Sequence, residues 1–184
     1  GWLRMQAKRG LFQRLDALVT HPYSWTSPPE KYGVLEQLAD VERIIDDLGG
    51  MKFQYTTEFG YDHHYDQEKR ANWIPRHFAI GAAAGLLRHG LFSWDGHFGI
   101  YDNGKAFPAA VSVNAYANLT RNHQFAGWLK RDDQAWVCVF QKAGEPLLMA
   151  WTPSGRGSYT LPEAETSFLV RDRDGNVIAE NQRT

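Results

Sequence analysis

The stretch KFQYTTEFGY (residues 52–61) decides how this chain is read. A β-prone run passes into Glu58, and the chain then turns at Phe59-Gly60. Two runs of the same kind flank it, DALVT (16–20) and GLFSWD (90–95). The three end at Thr20, Thr57 and Trp94, 37 residues apart at each step. Helical patterns fill the intervals. Val34, Leu35, Leu38, Val41, Ile45 and Leu48 form one apolar stripe, with SPPE (27–30) as its start signal and Gly49-Gly50 as its stop. Ala71, Ile74, Phe78, Ala82 and Leu86 form a second stripe. Gly81 and Gly85 lie on a similar face, where missing side chains let a helix sit close on a sheet. Pro75 is awkward there, because a helix-interior proline costs about 3 kcal/mol. The regular helix is therefore expected to start near Trp73 or to kink. RMQAKRGLFQRL (4–15) reads as the end of an earlier helix.

Strand and helix alternating at a fixed repeat is the βαβ pattern of a parallel sheet, so the fold class is α/β. Such units build doubly wound sheets and (β/α)8 barrels. A whole barrel takes ~250 residues, and 184 residues leave room for about three units. The pattern changes after FPAAVSVNAYANL (107–119), which reads as one more helix. AWVCVFQ (135–141), PLLMAW (146–151) and SFLVRD (167–172) read as strands, and DGN (174–176) as a hairpin turn. A boundary is expected near residue 127, with a small antiparallel β domain beyond it.

Composition narrows the function. Twenty Lys and Arg face 21 Asp and Glu, a net charge of −1 with no basic stripe, which argues against nucleic acid as a partner. No apolar run approaches the ~18 residues of a membrane span. Cys138 is the single cysteine, so neither a disulfide framework nor a cysteine-based zinc site is available. Its neighbours Trp136, Val137, Val139 and Phe140 mark it as a buried strand thiol. Trp128, Trp136 and Trp151 read as core of the β domain rather than as a carbohydrate platform. NLT (118–120) matches a glycosylation sequon but falls on an expected helix, so it is set aside.

In parallel α/β folds functional groups gather at the C-terminal ends of strands. Those ends carry THPY (20–23), TEFGY (57–61) and SWD (93–95). One such residue alone is commonly just a strand end meeting solvent. A histidine, a tyrosine, a glutamate, a tryptophan and an aspartate on one repeat argue for a site.

LVTHPY, QYTTEFGY and GLFSWDGHFGIYDNGKAFPAA, in that order, resemble the last three βα units of retaining glycoside hydrolases. The resemblance is to the large (β/α)8-barrel clan that includes families 5 and 39, and covers roughly residues 5–120. It implies that residues 1–127 are the C-terminal portion of a TIM-barrel catalytic domain. Family 39-like members also carry a β domain after the barrel, which fits residues 128–184 as a small β-sandwich-like domain, complete or not. By the same resemblance Glu58 is the nucleophile, Tyr23 donates a hydrogen bond to it, His21 shapes the pocket, and Trp94 is the floor under the sugar. Trp25 and Asp95 are further candidates for substrate contact.

The chemistry suits these residue types. Retaining hydrolysis uses two carboxyl groups ~5–5.5 Å apart, one attacking the anomeric carbon and the other serving as acid and then base. A tyrosine hydroxyl donating to the nucleophile favours its ionised form. The clan's acid/base glutamate follows an asparagine, and this chain has no Asn-Glu dipeptide. Asp95 and Asp62 are the nearest carboxylates by topology, but nothing places either on the leaving-group side. The economical expectation is a C-terminal fragment whose N-terminal barrel half lies outside the sequence. Three parallel strands cannot close a barrel and leave unpaired edges. Alone, the chain is then expected to be marginally stable and inactive towards its oligosaccharide or glycoside substrate. The alternative is a non-catalytic, carbohydrate-binding remnant of such a barrel. No cofactor is expected. YDHHYD (61–66) could suggest a metal, but adjacent histidines rarely converge and no third ligand stands at helical spacing. It reads as a polar loop over the site, and His97 as a turn residue.

Overall fold

The structure, a computed structural model, describes residues 1–48, 53–161 and 168–181. The elements run α1 (Trp2–Lys8), a 3-10 turn at Phe12–Arg14, β1 (Ala17–Thr20), α2 (Pro29–Tyr32), α3 (Val34–Leu48), β2 (Phe53–Thr56), α4 (Gln67–Ala83) and β3 (Arg88–His89). A short hairpin, β4 (Tyr101–Asp102) and β5 (Lys105–Ala106), leads into α5 (Pro108–Thr120). The antiparallel strands follow: β6 (Gln124–Arg131), β7 (Trp136–Lys142), β8 (Glu145–Trp151), β9 (Phe168–Arg171) and β10 (Val177–Asn181). The chain is a mixed α/β fold with small antiparallel sheets. Among the described residues no helix is long and apolar enough to cross a membrane.

β1, β2 and β3 form a parallel sheet in that order. Its register sets Thr20 beside Thr56, and Thr56 beside His89. The first two strands end where the repeat places them, to within a residue. The third does not: the run 90–95 expected as a strand is irregular, and the regular ladder stops at His89. Gly90 crosses so close to β2's extension that a Cβ there would lie 2.7 Å from the Thr57 carbonyl oxygen. The chain keeps bonding beyond that point, with Gly90 N–H to Thr56 O at 2.7 Å and Phe92 N–H to Phe59 O at 2.8 Å. Ser93 to Asp95 then belong to a turn closed by the Ser93 hydroxyl on the Asp95 carbonyl.

Two helix boundaries also differ from expectation. SPPE opens a separate single turn, α2, because Gly33 is left-handed (φ 74°) and ends it before α3 begins. The Gly49-Gly50 stop lies outside the described residues. α4 starts well before Trp73 and runs through Pro75. Asp66 caps it by accepting from the Glu68 and Lys69 N–H groups, which nucleates the first turn ahead of the proline. Pro75 forfeits one backbone bond, but it is buried with Ile74 and Ala71 in the helix contact. At the other end Leu86 N–H bonds Gly81 O and Gly85 N–H bonds Ala82 O, the paired pattern of a Schellman stop. Gly85 and Leu86 thus lie past the helix rather than on its face.

Val34, Leu35 and Leu38 of α3 pack with Ala79 and Ile80 of α4, and with Ala84 at its end, against Trp136, Cys138, Phe140 and Trp151, while Ile45 farther along the stripe packs with Ala7 and Phe12. One core therefore joins the helices to the antiparallel sheet β6-β7-β8. Burial pushes the Cys138 thiol up to about 12, so it stays protonated. Where α2, α4 and β8 meet, Arg76 donates to the almost fully buried Glu30 carboxylate at 2.9 Å. A second cluster gathers Phe59, Tyr61, Ala71, Ile74, Ile100, Ala109 and Ala110 under α4 and α5. The hairpin β9-β10 is tied to α4 through Arg173, which donates to Glu68 at 2.8 Å.

Gly81 sets how closely α4 approaches the sheet. A Cβ there would stand 1.8 Å from His89 Nδ1, inside the ring. Gly81→Ala is expected to destabilise the chain by about 1–3 kcal/mol, read as a lower urea midpoint. A second change, His89→Ala, should recover part of that loss if the clash is its cause.

Candidate active site

Three loops leave the C-terminal end of the parallel sheet. The loop after β1 carries His21, Tyr23 and Trp25; the loop after β2 carries Glu58; the loop after β3 carries Trp94 and Asp95. Tyr23 Oη donates to Glu58 Oε2 at 3.2 Å. His21 Nδ1 lies 3.6 Å from the same oxygen, and its Nε2 is 2.9 Å from Thr57 Oγ1. These three side chains converge. Burial, then the charge of Glu58, then the hydrogen bond to it, push the Tyr23 hydroxyl up to about 12, so the phenol keeps its proton and donates. The Glu58 side chain is 38% exposed and open to solvent.

Trp25 is 54% exposed and stacks on Tyr23, ring centres 5.0 Å apart. Trp94 is 69% exposed and stacks one face on Tyr101 at 4.3 Å, which fixes the plane of the indole. Asp95 is occupied locally, its Oδ1 accepting the Gly96 N–H at 2.8 Å. Its carboxylate is not among the groups that meet Glu58.

The loops are held from behind by α4, and these residues escape a sequence reading. Arg70, Ile74, His77 and Gly81 fall on one helix face at spacings of four, three and four. His77 is fully buried. Its Nε2 lies 2.9 Å from the Pro22 carbonyl, between His21 and Tyr23, and its Nδ1 lies 3.1 Å from His89 Nε2. Its ring stacks on Phe59, next to Glu58, at 3.9 Å. The consistent proton pattern has His89 Nε2–H donating to His77 Nδ1, and His77 Nε2–H donating to Pro22. Arg70 is also fully buried and donates to Gln67 and to the Phe98 and Gly99 carbonyls of the third loop. Burial lowers its guanidinium to about 10, which leaves it charged. Ser24 and the buried Tyr61 share a hydrogen bond of 2.5 Å, joining the first loop to the second. A sequence signal existed for these only in hindsight: a histidine and an arginine on the apolar face of a helix need buried partners.

The histidines of YDHHYD are less isolated than their spacing suggests. His97, from the loop after β3, joins Asp62, His63 and His64, and the four ligand atoms lie within 4.8 Å of one another. The His64 N–H holds the Asp62 carboxyl below the usual carboxylate range.

In fold the chain is similar to a family 39 glycoside hydrolase from the gut symbiont Bacteroides cellulosilyticus WH2, with a TM-score of 0.75 and 17% sequence identity. The similarity covers 94% of this chain and 42% of that protein. The sequence matches no protein-family profile and no curated protein.

The His77–His89 pair makes a pH prediction. The ordinary histidine value is 6.5, and burial pushes His77 down to about 3; burial and the neighbouring His77 depress His89. Between those values the unfolded chain holds protons the folded chain lacks, so stability is full above pH 6.5 and falls as pH falls. Each such group contributes up to ~1.4 kcal/mol per pH unit. Glu30, raised by burial, offsets part of this. The urea midpoint should be clearly lower at about pH 5 than at about pH 7.5, and His77→Phe should flatten the profile. An unchanged midpoint would exclude a neutral buried pair.

Proposed function

We propose that this chain carries the nucleophile side of a retaining glycoside hydrolase, with Glu58 as the nucleophile. The observation that carries the reading is the Tyr23 hydroxyl donating to Glu58 Oε2 at 3.2 Å, at the C-terminal end of a parallel sheet. A donor that favours the ionised carboxylate is what a glycosyl-accepting glutamate needs. In this proposal residues 1–127 are the last three βα units of a (β/α)8 barrel, and residues 128–184 a small β-sandwich-like domain behind it. The fold likeness to part of a family 39 enzyme supports this arrangement.

The reaction is a double displacement. Glu58 attacks the anomeric carbon and forms a glycosyl ester, while an acid carboxyl gives its proton to the departing oxygen. The same group, now a base, takes a proton from water, whose oxygen cleaves the ester and restores Glu58. The proposal assigns that second carboxyl to residues outside this sequence, since Asp95 and Asp62 are engaged in their own loops. Tyr23 holds the Glu58 carboxylate in place and His21 flanks it. Trp94 offers its free indole face to the apolar side of a pyranose, and Trp25 widens that surface.

The test begins with the coding sequence upstream of Gly1. A continuing frame through a strand ending in Asn-Glu supplies the acid/base candidate. The resulting longer protein, treated with a 2-deoxy-2-fluoro glycoside, should form an adduct on Glu58 by peptide mass spectrometry, and Glu58→Gln should form none. Tyr23→Phe should lower kcat roughly 10- to 100-fold, the loss of one hydrogen bond to a charged group. An adduct on another residue overturns the assignment of Glu58. Hydrolysis of an aryl glycoside by the isolated 184 residues, dependent on Glu58, overturns the assignment of the acid/base to a missing half. Sugar binding that survives Glu58→Gln, with no adduct in the longer protein, favours the non-catalytic binding remnant.

A further inference from the structure

Asp62, His63, His64 and His97 come from two loops that are neighbours in space, although His97 stands 33 or more residues (97 − 64) from the other three in sequence. Their ligand atoms lie within 4.8 Å of one another. Three imidazoles and one carboxylate suit zinc and its neighbours in the first transition row, not magnesium or calcium, which take oxygen. A tetrahedral ion with bonds of about 2.0–2.1 Å holds its donors about 3.4 Å apart. His64 and His97 are exposed, so side-chain rotation at those two positions can close the remaining distance.

The backbone beneath is already organised. His63 N–H donates to the His97 carbonyl at 2.5 Å, so the two loops are joined directly under the imidazoles. Arg70 holds the next two carbonyls, those of Phe98 and Gly99. His63 Nδ1 lies 2.9 Å from the His97 carbonyl, which accepts, so Nδ1 carries the hydrogen and Nε2 keeps its lone pair. A ligating histidine ordinarily makes such an outer hydrogen bond, because it fixes tautomer and ring orientation. Asp62 Oδ1 accepts the His64 N–H at 2.9 Å, and Oδ2 has no hydrogen bond among the described residues.

We propose that Asp62, His63, His64 and His97 form a site for a divalent transition metal of the zinc class, which clasps the loop after β2 to the loop after β3. The clasp contains neither Glu58 nor Tyr23 and stands apart from the glycosidase reading. It touches that region at one point: Phe98, next to His97, packs edge-on against Tyr23 at 5.7 Å. An ion here would steady the wall beside Tyr23 without taking part in chemistry.

The test is Zn2+ titration of the whole chain after chelator treatment, followed by calorimetry, with Co2+ absorption as a spectroscopic reporter. One ion per chain should bind with a micromolar or tighter Kd, raise the thermal midpoint, and give the Co2+ spectrum of imidazole ligation. His64→Gln and His97→Gln, one on each loop, should each weaken binding at least about tenfold. His123→Gln, outside the cluster, should leave it unchanged. Both substituted histidines are exposed, and circular dichroism reports whether each variant keeps its helices. Should one variant lose them, the other variant and the Co2+ spectrum of the unsubstituted chain decide. Binding only at millimolar Zn2+, a Co2+ spectrum of the hydrated ion, or equal affinity in a folded His64 or His97 variant overturns the site.

Discussion

One face of α4 holds together everything at the C-terminal end of the sheet. Arg70, His77 and Gly81 stand on that face and each governs a different loop or strand end. Arg70 fixes the third loop through Phe98 and Gly99, His77 fixes the first through Pro22, and Gly81 leaves the space that His89 fills. Burying an arginine and two histidines is costly unless their polar atoms are partnered. The partners of Arg70 and His77 include the backbone carbonyls of Phe98, Gly99 and Pro22, so the bonds that stabilise the helix contact also dictate where those loops run. Apolar packing alone would tolerate a sliding helix; directed hydrogen bonds at about 3 Å do not.

That constraint explains why Glu58 and Tyr23 meet. The register puts Thr20 beside Thr56, so the chains leaving β1 and β2 start side by side. His77 then pulls Pro22 inward, and its ring covers Phe59. Tyr23 follows Pro22 and Glu58 precedes Phe59, so their side chains are delivered to the same point from opposite sides. Trp25 extends outward from there over Tyr23, and in the loop after β3 Trp94 stacks on Tyr101. The indole faces of Trp25 and Trp94 are open to solvent, while the polar anchors behind the loops, Arg70 and His77, are buried.

The antiparallel sheet contributes from the far side of the helices. Trp136, Cys138, Phe140 and Trp151 pack on α3 and α4, and the Arg76–Glu30 pair is sealed at that junction. The helices are therefore held on two faces. Across the change of pattern near residue 127, Val34, Leu35 and Leu38 share one cluster with Trp136, Cys138, Phe140 and Trp151.

The amino-acid sequence by itself determined the parts governed by local periodicity. Val34, Leu35, Leu38 and Ile45 announce α3 because a 3.6-residue repeat needs no distant partner to be seen. The continuous β-prone apolar runs at 135–141 and 146–151 announce β7 and β8, and Asp174-Gly175-Asn176 the turn between β9 and β10. The 37-residue repeat placed the ends of β1 and β2, and with them Glu58, His21 and Tyr23. Asn103-Gly104, both at positive φ in the β4–β5 turn, is a local signal of the same kind. Tertiary structure alone decided the rest. The regular ladder of β3 ends at His89, where Gly90 passes close to the Thr57 backbone, an approach of segments 33 residues apart (90 − 57) that no local pattern encodes. His97 reaches His63 for the same reason: loops after adjacent parallel strands converge in space while remaining a whole βα unit apart in sequence. Buried partners for Arg70 and His77 are fixed by packing, and packing is the one thing that a linear pattern does not contain.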